Sequence, residues 1–346
     1  MPKTTELSLT DQEKKKTSSL LHQFTTTYSS AEDPDFLERA TLLSHRLPER
    51  ICEFLTDFKY REEGSGIALI SGNPVDDVEI GPTPLVPMTR EDSKRTLREQ
   101  MLLVLYASLL GDVFGWSTQQ AGHIVHDVFP AKEHENDQIG FGSKEIQTWH
   151  VEDAFHPFRG DYLALLCLRN PCKVSTIVAS IADIKLDDYI VELLFESRFT
   201  IRPDESHLSK NRRVATIPDT DIKFLDNAYG KIERLNLNPP KLPVLFGDRN
   251  APYLRLDPYF MDPPANDSDA RLALNTLIQE IDSNIADLVL EAGDCLFLDN
   301  YRAVHGRRSF VAEYDGTDRW LKRVNITRDL RRSREARLNS RSRIVF

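Results

Sequence analysis

Apolar residues in the first third of the chain recur at helical spacing. The segment "DPDFLERATLLSHRLPERICEFLTDF" opens with Asp33 in a capping position and Pro34 at the first helical position, and its apolar stripe predicts two helices broken near Pro48. "GIALISG" reads as a buried strand ending in glycine. "GPTPLVP" reads as an extended connection, because each proline biases its predecessor away from helix. Thr89 is placed to cap a long apolar helix over 91–113. Residues 1–32, rich in Lys, Thr, Ser and Gln, are expected to form an N-terminal extension that is a loose helix or partly disordered, leaving 33–346 as a single catalytic domain.

After residue 115 the pattern changes to short β-type runs separated by turn residues: "HIVHDVFP", "QTWHVEDAF", "DYLALLCLRN", "STIVASI", "LPVLFG", "APYLRLD", "DLVLEAGDCLFLDN", "RAVHGRRSFV" and "RWLKRVNIT". One helical insertion is expected near 268–284. Irregularly spaced strands without βαβ alternation argue against a Rossmann sheet and for an α+β molecule, a β-barrel or jelly roll with flanking helices, mainly N-terminal. The long polar loops at 131–147 and 202–222 are of the type that closes over a site.

Composition narrows the class. The apolar runs "YLALLCL" and "MLLVLYASLL" are shorter than the roughly 20 residues a membrane helix needs, and no basic-then-apolar leader opens the chain, so a soluble, cytoplasmic protein is expected. Cysteines at 52, 167, 172 and 295 lack CxxC spacing and are expected to be free and buried. A net charge of −10 argues against nucleic-acid partners. The arginine-rich tail from Arg328 to Arg343 has no interleaved aromatic, so its arginines are expected to pair with the acidic body.

The chemistry centres on "WHVEDAFHP". Strand residues two apart share a face, so His150 and Glu152 can reach one ion together while Val151 points away. Nine histidines and 54 acids in 346 residues supply about one such pair by chance, so a third ligand is required. His305 in "VHGR" is the best candidate, since the neighbouring glycine marks a close backbone approach. Two histidines and one carboxylate with open positions is the ligand set of non-haem Fe(II) oxygenases; structural zinc prefers four closed ligands. His22, His45, His123, His126, His134, His156 and His207 are read as hydrogen-bonded core or surface residues. Fourteen residues after His305, Arg319 is followed by Arg323, both on one strand face, where a guanidinium can grip a carboxylate through two hydrogen bonds.

With "TQQAGHIVHDVFP", "WHVEDAFHPFRGDY", "LRNP", "GDRNAPYLRLD", "DNYRAVHGRRSF" and "YDGTDRWLKR" in order, the chain resembles the clavaminate synthase-like Fe(II)/2-oxoglutarate oxygenases, close to the arginine-type amino-acid hydroxylases of peptide-antibiotic pathways, over roughly 80–335. The resemblance implies a double-stranded β-helix. It implies Fe(II) held by His150, Glu152 and His305, with 2-oxoglutarate and O2 as cosubstrates. Arg319 would bind the distal carboxylate of 2-oxoglutarate, helped by Thr176. Arg323 would take the substrate α-carboxylate, and Gln119 with the non-ligating oxygen of Glu152 the α-ammonium. Asp257 would face the substrate side chain, favouring a cationic group. The arginine enzymes show a second acid two residues on, where this chain has Tyr259, so lysine, citrulline or a cyclic arginine derivative stand beside arginine as substrates.

The expected reaction is hydroxylation of a β or γ carbon with release of succinate and CO2, by a monomer or homodimer. Glu152 leaves no ligand position for a halide, which disfavours halogenation. Desaturation shares the scaffold. A metal-dependent hydrolase would explain the triad but leave Arg319, Thr176 and Arg323 without a role, and a non-catalytic jelly-roll binder would not need the ligands.

Overall fold

The computed structural model describes residues 4–62, 64–86, 92–212, 219–262, 264 and 266–346. The helices are α1 (Asp11–Thr27), α2 (Pro34–Ser44), α3 (Glu49–Tyr60), α4 (Asp77–Ile80), α5 (Leu97–Leu110), α6 (Asp188–Phe195), α7 (Asp219–Leu237) and α8 (Ser268–Ser283). The strands are β1 (Thr5–Ser8), β2 (Ile67–Ser71), β3 (Asp112–Trp116), β4 (His126–Val128), β5 (Gln147–His150), β6 (Tyr162–Arg169), β7 (Ser175–Ser180), β8 (Phe199–Thr200), β9 (Lys241–Leu242), β10 (Leu245–Gly247), β11 (Pro252–Leu254), β12 (Ala286–Val289), β13 (Cys295–Asp299), β14 (Ala303–Arg307), β15 (Trp320–Thr327) and β16 (Ile344–Val345).

Two sheets carry the architecture. The larger runs β1-β2-β13-β6-β15-β3-β16, with β4 beside β15; the smaller runs β12-β7-β14-β5. Leu163, Leu165, Cys167, Leu296, Leu298 and Leu321 from the larger sheet meet Val178 and Ala303 from the smaller in one buried cluster, so the sheets face each other. The alternate residues of β6, Ala164, Leu166 and Leu168, face outward into a second cluster with α1, α2, α3 and α5. With both faces covered, β6 reads as a continuous apolar run rather than an alternating one. A third cluster backs the smaller sheet, where Ile177, Ala179 and Val304 pack on α6 and α8.

Asp33 caps α2 with Pro34 at its start, and α3 begins just after Pro48 as expected. Thr89 lies outside the described residues. The helix expected to reach 113 ends at Leu110, and Gly111 turns the chain into β3; a Cβ there would lie 2.3 Å from the Thr327 carbonyl oxygen. Helices α6 and α7 join the single insertion expected near 268–284. The N-terminal extension is also more ordered than expected: β1 pairs in parallel with β2, and α1 opens with a Thr10–Glu13 capping box. Among its described residues Leu7, Leu20, Leu21 and Phe24 are buried, so burial rather than composition decides its state.

The arginine tail behaves as expected. Arg332 reaches Asp161, Arg341 pairs with Asp35 and Glu38, Arg343 lies 2.8 Å from Asp112, and Arg337 donates to the Leu330 and Ser342 carbonyls. All four cysteines are free, but only Cys167 and Cys295 are buried; Cys172 sits exposed in the turn after β6. No helix among the described residues is long and apolar enough to cross a membrane.

Candidate active site

Strands β5 and β14 pair antiparallel with His150 directly opposite His305, although 154 residues lie between the two in the chain. The pairing requires an unusually close approach: a Cβ on Gly306 would stand 2.5 Å from the Gln147 carbonyl oxygen and 3.0 Å from the Trp149 Cα. Glu152 follows β5. Its carboxylate Oε2 lies 3.6 Å from His150 Nε2 and 3.4 Å from His305 Nε2, and ligand atoms of all three residues fall within 4.8 Å of one another.

These contacts are too long for good hydrogen bonds, and Glu152 Oε2 is a buried acceptor without a partner. An orphaned carboxylate oxygen between two imidazole Nε2 atoms fits a divalent cation. His150 Nδ1 lies 2.8 Å from the Thr148 carbonyl and donates to it in the tautomer that leaves Nε2 free to ligate. Burial opposes ionisation of Glu152, but Arg323 and the two histidines outweigh it and hold the carboxyl well below its ordinary range.

The other oxygen of Glu152 is engaged. Arg323, on β15, donates from Nη1 to Glu152 Oε1 at 2.6 Å, and from Nη2 to His126 Nδ1 at 2.8 Å and Gln119 Oε1 at 3.4 Å. His126 Nε2 is 2.9 Å from the His123 carbonyl, which assigns the proton to that nitrogen and leaves Nδ1 as acceptor. Burial and the neighbouring guanidinium push the His126 imidazolium well below the ordinary histidine range, consistent with that neutral state.

Gln119, His126, His150, Glu152, Asp257 and Arg323 line one cavity of about 400 Å³, the scale of a small-molecule site. Asp257 is 7% exposed and lies close enough to the His150 imidazole for the two to interact electrostatically, with burial the dominant effect on its carboxyl. Burial lifts its carboxyl to about 7. Tyr259, half exposed, lines the same cavity.

Arg319 and Thr176 lie outside that lining. Arg319 Nη2 donates to Thr176 Oγ1 at 3.0 Å, while its Nε is buried without a partner. Thr176 sits on β7 opposite Arg307 and shares the inner face with Val178, the partner of His305. Arg319 is 5% exposed with no carboxylate paired to it among the described residues, and burial draws its guanidinium down to about 10. A buried cation of this kind is a receptor for an anion.

Other supporting residues gave no signal in sequence. Asn300, in "DNYR", accepts from the Glu152 N–H at 2.8 Å and donates to the Glu152 and Gly160 carbonyls, each at 2.9 Å, clamping the backbone on both sides of the Glu152 side chain. Asp153, at a left-handed φ of 51°, takes hydrogen bonds from Trp116 at 2.6 Å and Asn325 at 3.3 Å and contacts His207 at 3.0 Å. His207 is therefore a satisfied core residue, as expected. Both expected cover segments contribute to the cavity wall, with residues 213–218 outside the described set. The first segment is pinned in place: Arg307 donates to the Ser143 and Glu145 carbonyls, and the Phe310 N–H to Ser143.

Residues 197–325 match the family described as taurine catabolism dioxygenase TauD, TfdA family. Over nearly the whole chain there is 43% identity across 319 residues, 92% of this chain and 93% of the other, to the enduracididine beta-hydroxylase of Streptomyces hygroscopicus. The chain belongs to the TauD/TfdA family of Fe(II)/2-oxoglutarate oxygenases. Within this family it is also 42% identical, over 98% of its length and 99% of the relative, to an L-ornithine/L-arginine 3-hydroxylase of Catenulispora acidiphila. The crystal structure of the non-heme iron oxygenase OrfP with Fe, succinate and (3S)-hydroxy-L-Arg superimposes with a TM-score of 0.93 at 46% identity, covering 99% of this chain and 100% of OrfP. The fold is accordingly that of a TauD-like oxygenase, with mixed sheets and helices.

Proposed function

We propose that this oxygenase hydroxylates an unactivated β or γ carbon of a free basic L-amino acid, arginine first, then lysine, citrulline or a cyclic arginine derivative, producing succinate and CO2. The observation that carries the reading is the placement of Asp257 in the same cavity as Arg323 and Gln119. One wall offers a cation and an amide to a zwitterionic head; another offers an uncompensated carboxylate to a cationic tip. Such a pair of complementary ends fixes one C–H bond relative to the triad.

In this reading His150, Glu152 and His305 hold Fe(II), and Arg319 with Thr176 receives the distal carboxylate of 2-oxoglutarate. The bound iron supplies the O2-dependent oxidation. The chain's own residues do the rest. Arg323 takes the α-carboxylate; Gln119 Oε1 and Glu152 Oε1 accept from the α-ammonium. Asp257, in its ionised form, holds the side-chain cation. The two facing sheets are read as a double-stranded β-helix in which the chain acts as one catalytic unit, and a cytoplasmic setting and a role in antibiotic biosynthesis fit the relatives' chemistry. The buried, acid-free Arg319 favours this over a hydrolase on the same ligands, which has no use for an anion receptor.

The test is incubation with Fe(II), 2-oxoglutarate and O2 across the twenty amino acids plus citrulline, ornithine and enduracididine, reading product mass and succinate. Gain of one oxygen on a basic amino acid, matched by succinate, supports the proposal. Loss of two hydrogens would assign a desaturase, and selective oxidation of asparagine or an aliphatic amino acid would overturn the role given to Asp257.

A further inference from the structure

We infer that Asp204 and Ser206, on the 202–212 segment, are positioning residues that decide which end of the Gln119 amide faces the cavity, and thereby make the site select for an α-ammonium group. The inference rests on the function proposed above. It begins from a donor count. The Asp204 carboxylate can only accept hydrogen bonds, and its Oδ1 takes both the Ser206 N–H, at 2.9 Å, and the Ser206 hydroxyl proton. With that proton committed, Ser206 Oγ presents lone pairs alone. It lies 2.6 Å from Gln119 Nε2, so the amide NH2 donates to it. The carbonyl end of Gln119 then points the other way, where Arg323 Nη2 meets it at 3.4 Å. Both neighbours of the amide demand the same orientation, although an isolated glutamine has no preference between its two flips.

The direction matters because an ammonium is a donor only. A Gln119 turned by 180° would offer NH2 to it and lose a hydrogen bond to a charged group. Ser206 is held from both flanks. Asp204 holds it on one side. On the other, His207 contacts Asp153 at 3.0 Å and Thr118 Oγ1 at 2.7 Å. Those two anchors are the chain neighbours of Glu152 and Gln119, which supply the two oxygens proposed for the ammonium. Order in the 202–212 segment is thus tied to recognition of the amine.

The experiment measures equilibrium dissociation constants of L-arginine and of 5-guanidinopentanoate, the same molecule without its α-amine, on anaerobic protein loaded with Fe(II) and 2-oxoglutarate. Wild type, Ser206→Ala and Ser206→Thr are compared. Ser206→Ala should weaken arginine about tenfold while moving 5-guanidinopentanoate by less than about twofold, and Ser206→Thr, which keeps the hydroxyl, should restore the preference. Equal weakening of both ligands, or an undiminished preference in Ser206→Ala, would overturn the assignment. A wild type that binds arginine no better than 5-guanidinopentanoate would overturn it as well. Failure of wild type to bind either ligand would refute arginine as substrate, a separate matter; the comparison then uses the amino acid identified by the product screen and its des-amino analogue.

Discussion

Replacing Asp257 by Asn should make the metal-free protein more stable and the enzyme worse. Burial lifts the Asp257 carboxyl to about 7, against an ordinary 3.8. The folded state therefore binds a proton over a range where the unfolded chain has released it, and the stability this represents is complete below pH 3.8 and lost as pH rises through 7. The gap corresponds to about 4 kcal/mol at pH 8. Subtracting about 1–2 kcal/mol for amide N–H groups left without acceptors gives Asp257→Asn a net gain of roughly 2–3 kcal/mol at pH 8. Near pH 4 the wild-type group is already neutral in the fold, and the gain should vanish. Urea unfolding of wild type and variant from pH 4 to 8 measures this directly. In turnover the sign reverses: a buried cation deprived of its partner costs about 3–5 kcal/mol, so kcat/KM for arginine should fall by roughly 10²–10³. A variant no more stable than wild type at pH 8, or a stability difference independent of pH, would refute the view that Asp257 is an uncompensated buried charge.

Glu152→Ala should abolish succinate formation coupled to substrate, and near-normal turnover would remove Glu152 from the ligand set. Arg319→Met should raise KM for 2-oxoglutarate by about 10²-fold or more while leaving arginine binding to the iron-loaded protein within a few-fold, since a charge-assisted pair is lost from one ligand only; equal effects on both ligands would count against the role. Asn300→Ala removes two hydrogen bonds to the Glu152 backbone and one to the Gly160 carbonyl, and should weaken Fe(II) about 10–100-fold by anaerobic titration. Gly306→Ala puts a Cβ against the Gln147 carbonyl and should part β5 from β14; retained metal affinity would mean the strands can yield.

Much of the site was legible because its chemistry is carried by side chains whose type limits their use. His150 and Glu152 stand out by their two-residue spacing, although Glu152 lies in the turn just past β5 rather than on the strand as expected, and Gly306 by the absence of a side chain where two backbones meet. Arg319 and Arg323 stand four apart, two strand repeats, Arg319 just before the start of β15 and Arg323 on it. What escaped notice is what depends on tertiary contact. Asn300 works by gripping a backbone 148 residues away, and no local pattern distinguishes it from a turn asparagine. His126 is a buried, hydrogen-bonded histidine as expected, but its partner Arg323 reaches it only across paired strands and has no local signature. For the N-terminal segment low apolar content leaves a loose helix and partial disorder both open; the helix forms because Leu20, Leu21 and Phe24 join the core cluster that α5 also enters. α6, "DYIVELLF", is too short and too uniformly apolar for periodicity to separate it from a strand, while α7 is largely polar along its length.

The turn following Glu152 is fastened by Trp116 from β3, His207 from the 202–212 segment and Asn325 from β15, while His305 arrives on β14. Such a centre has no local nucleus, unlike a zinc finger whose ligands lie close together and gather around the ion at the outset. Its assembly waits on sequence-distant pairings, the slowest kind to form. Iron uptake during refolding should therefore lag the recovery of secondary structure and mark the completion of the native topology.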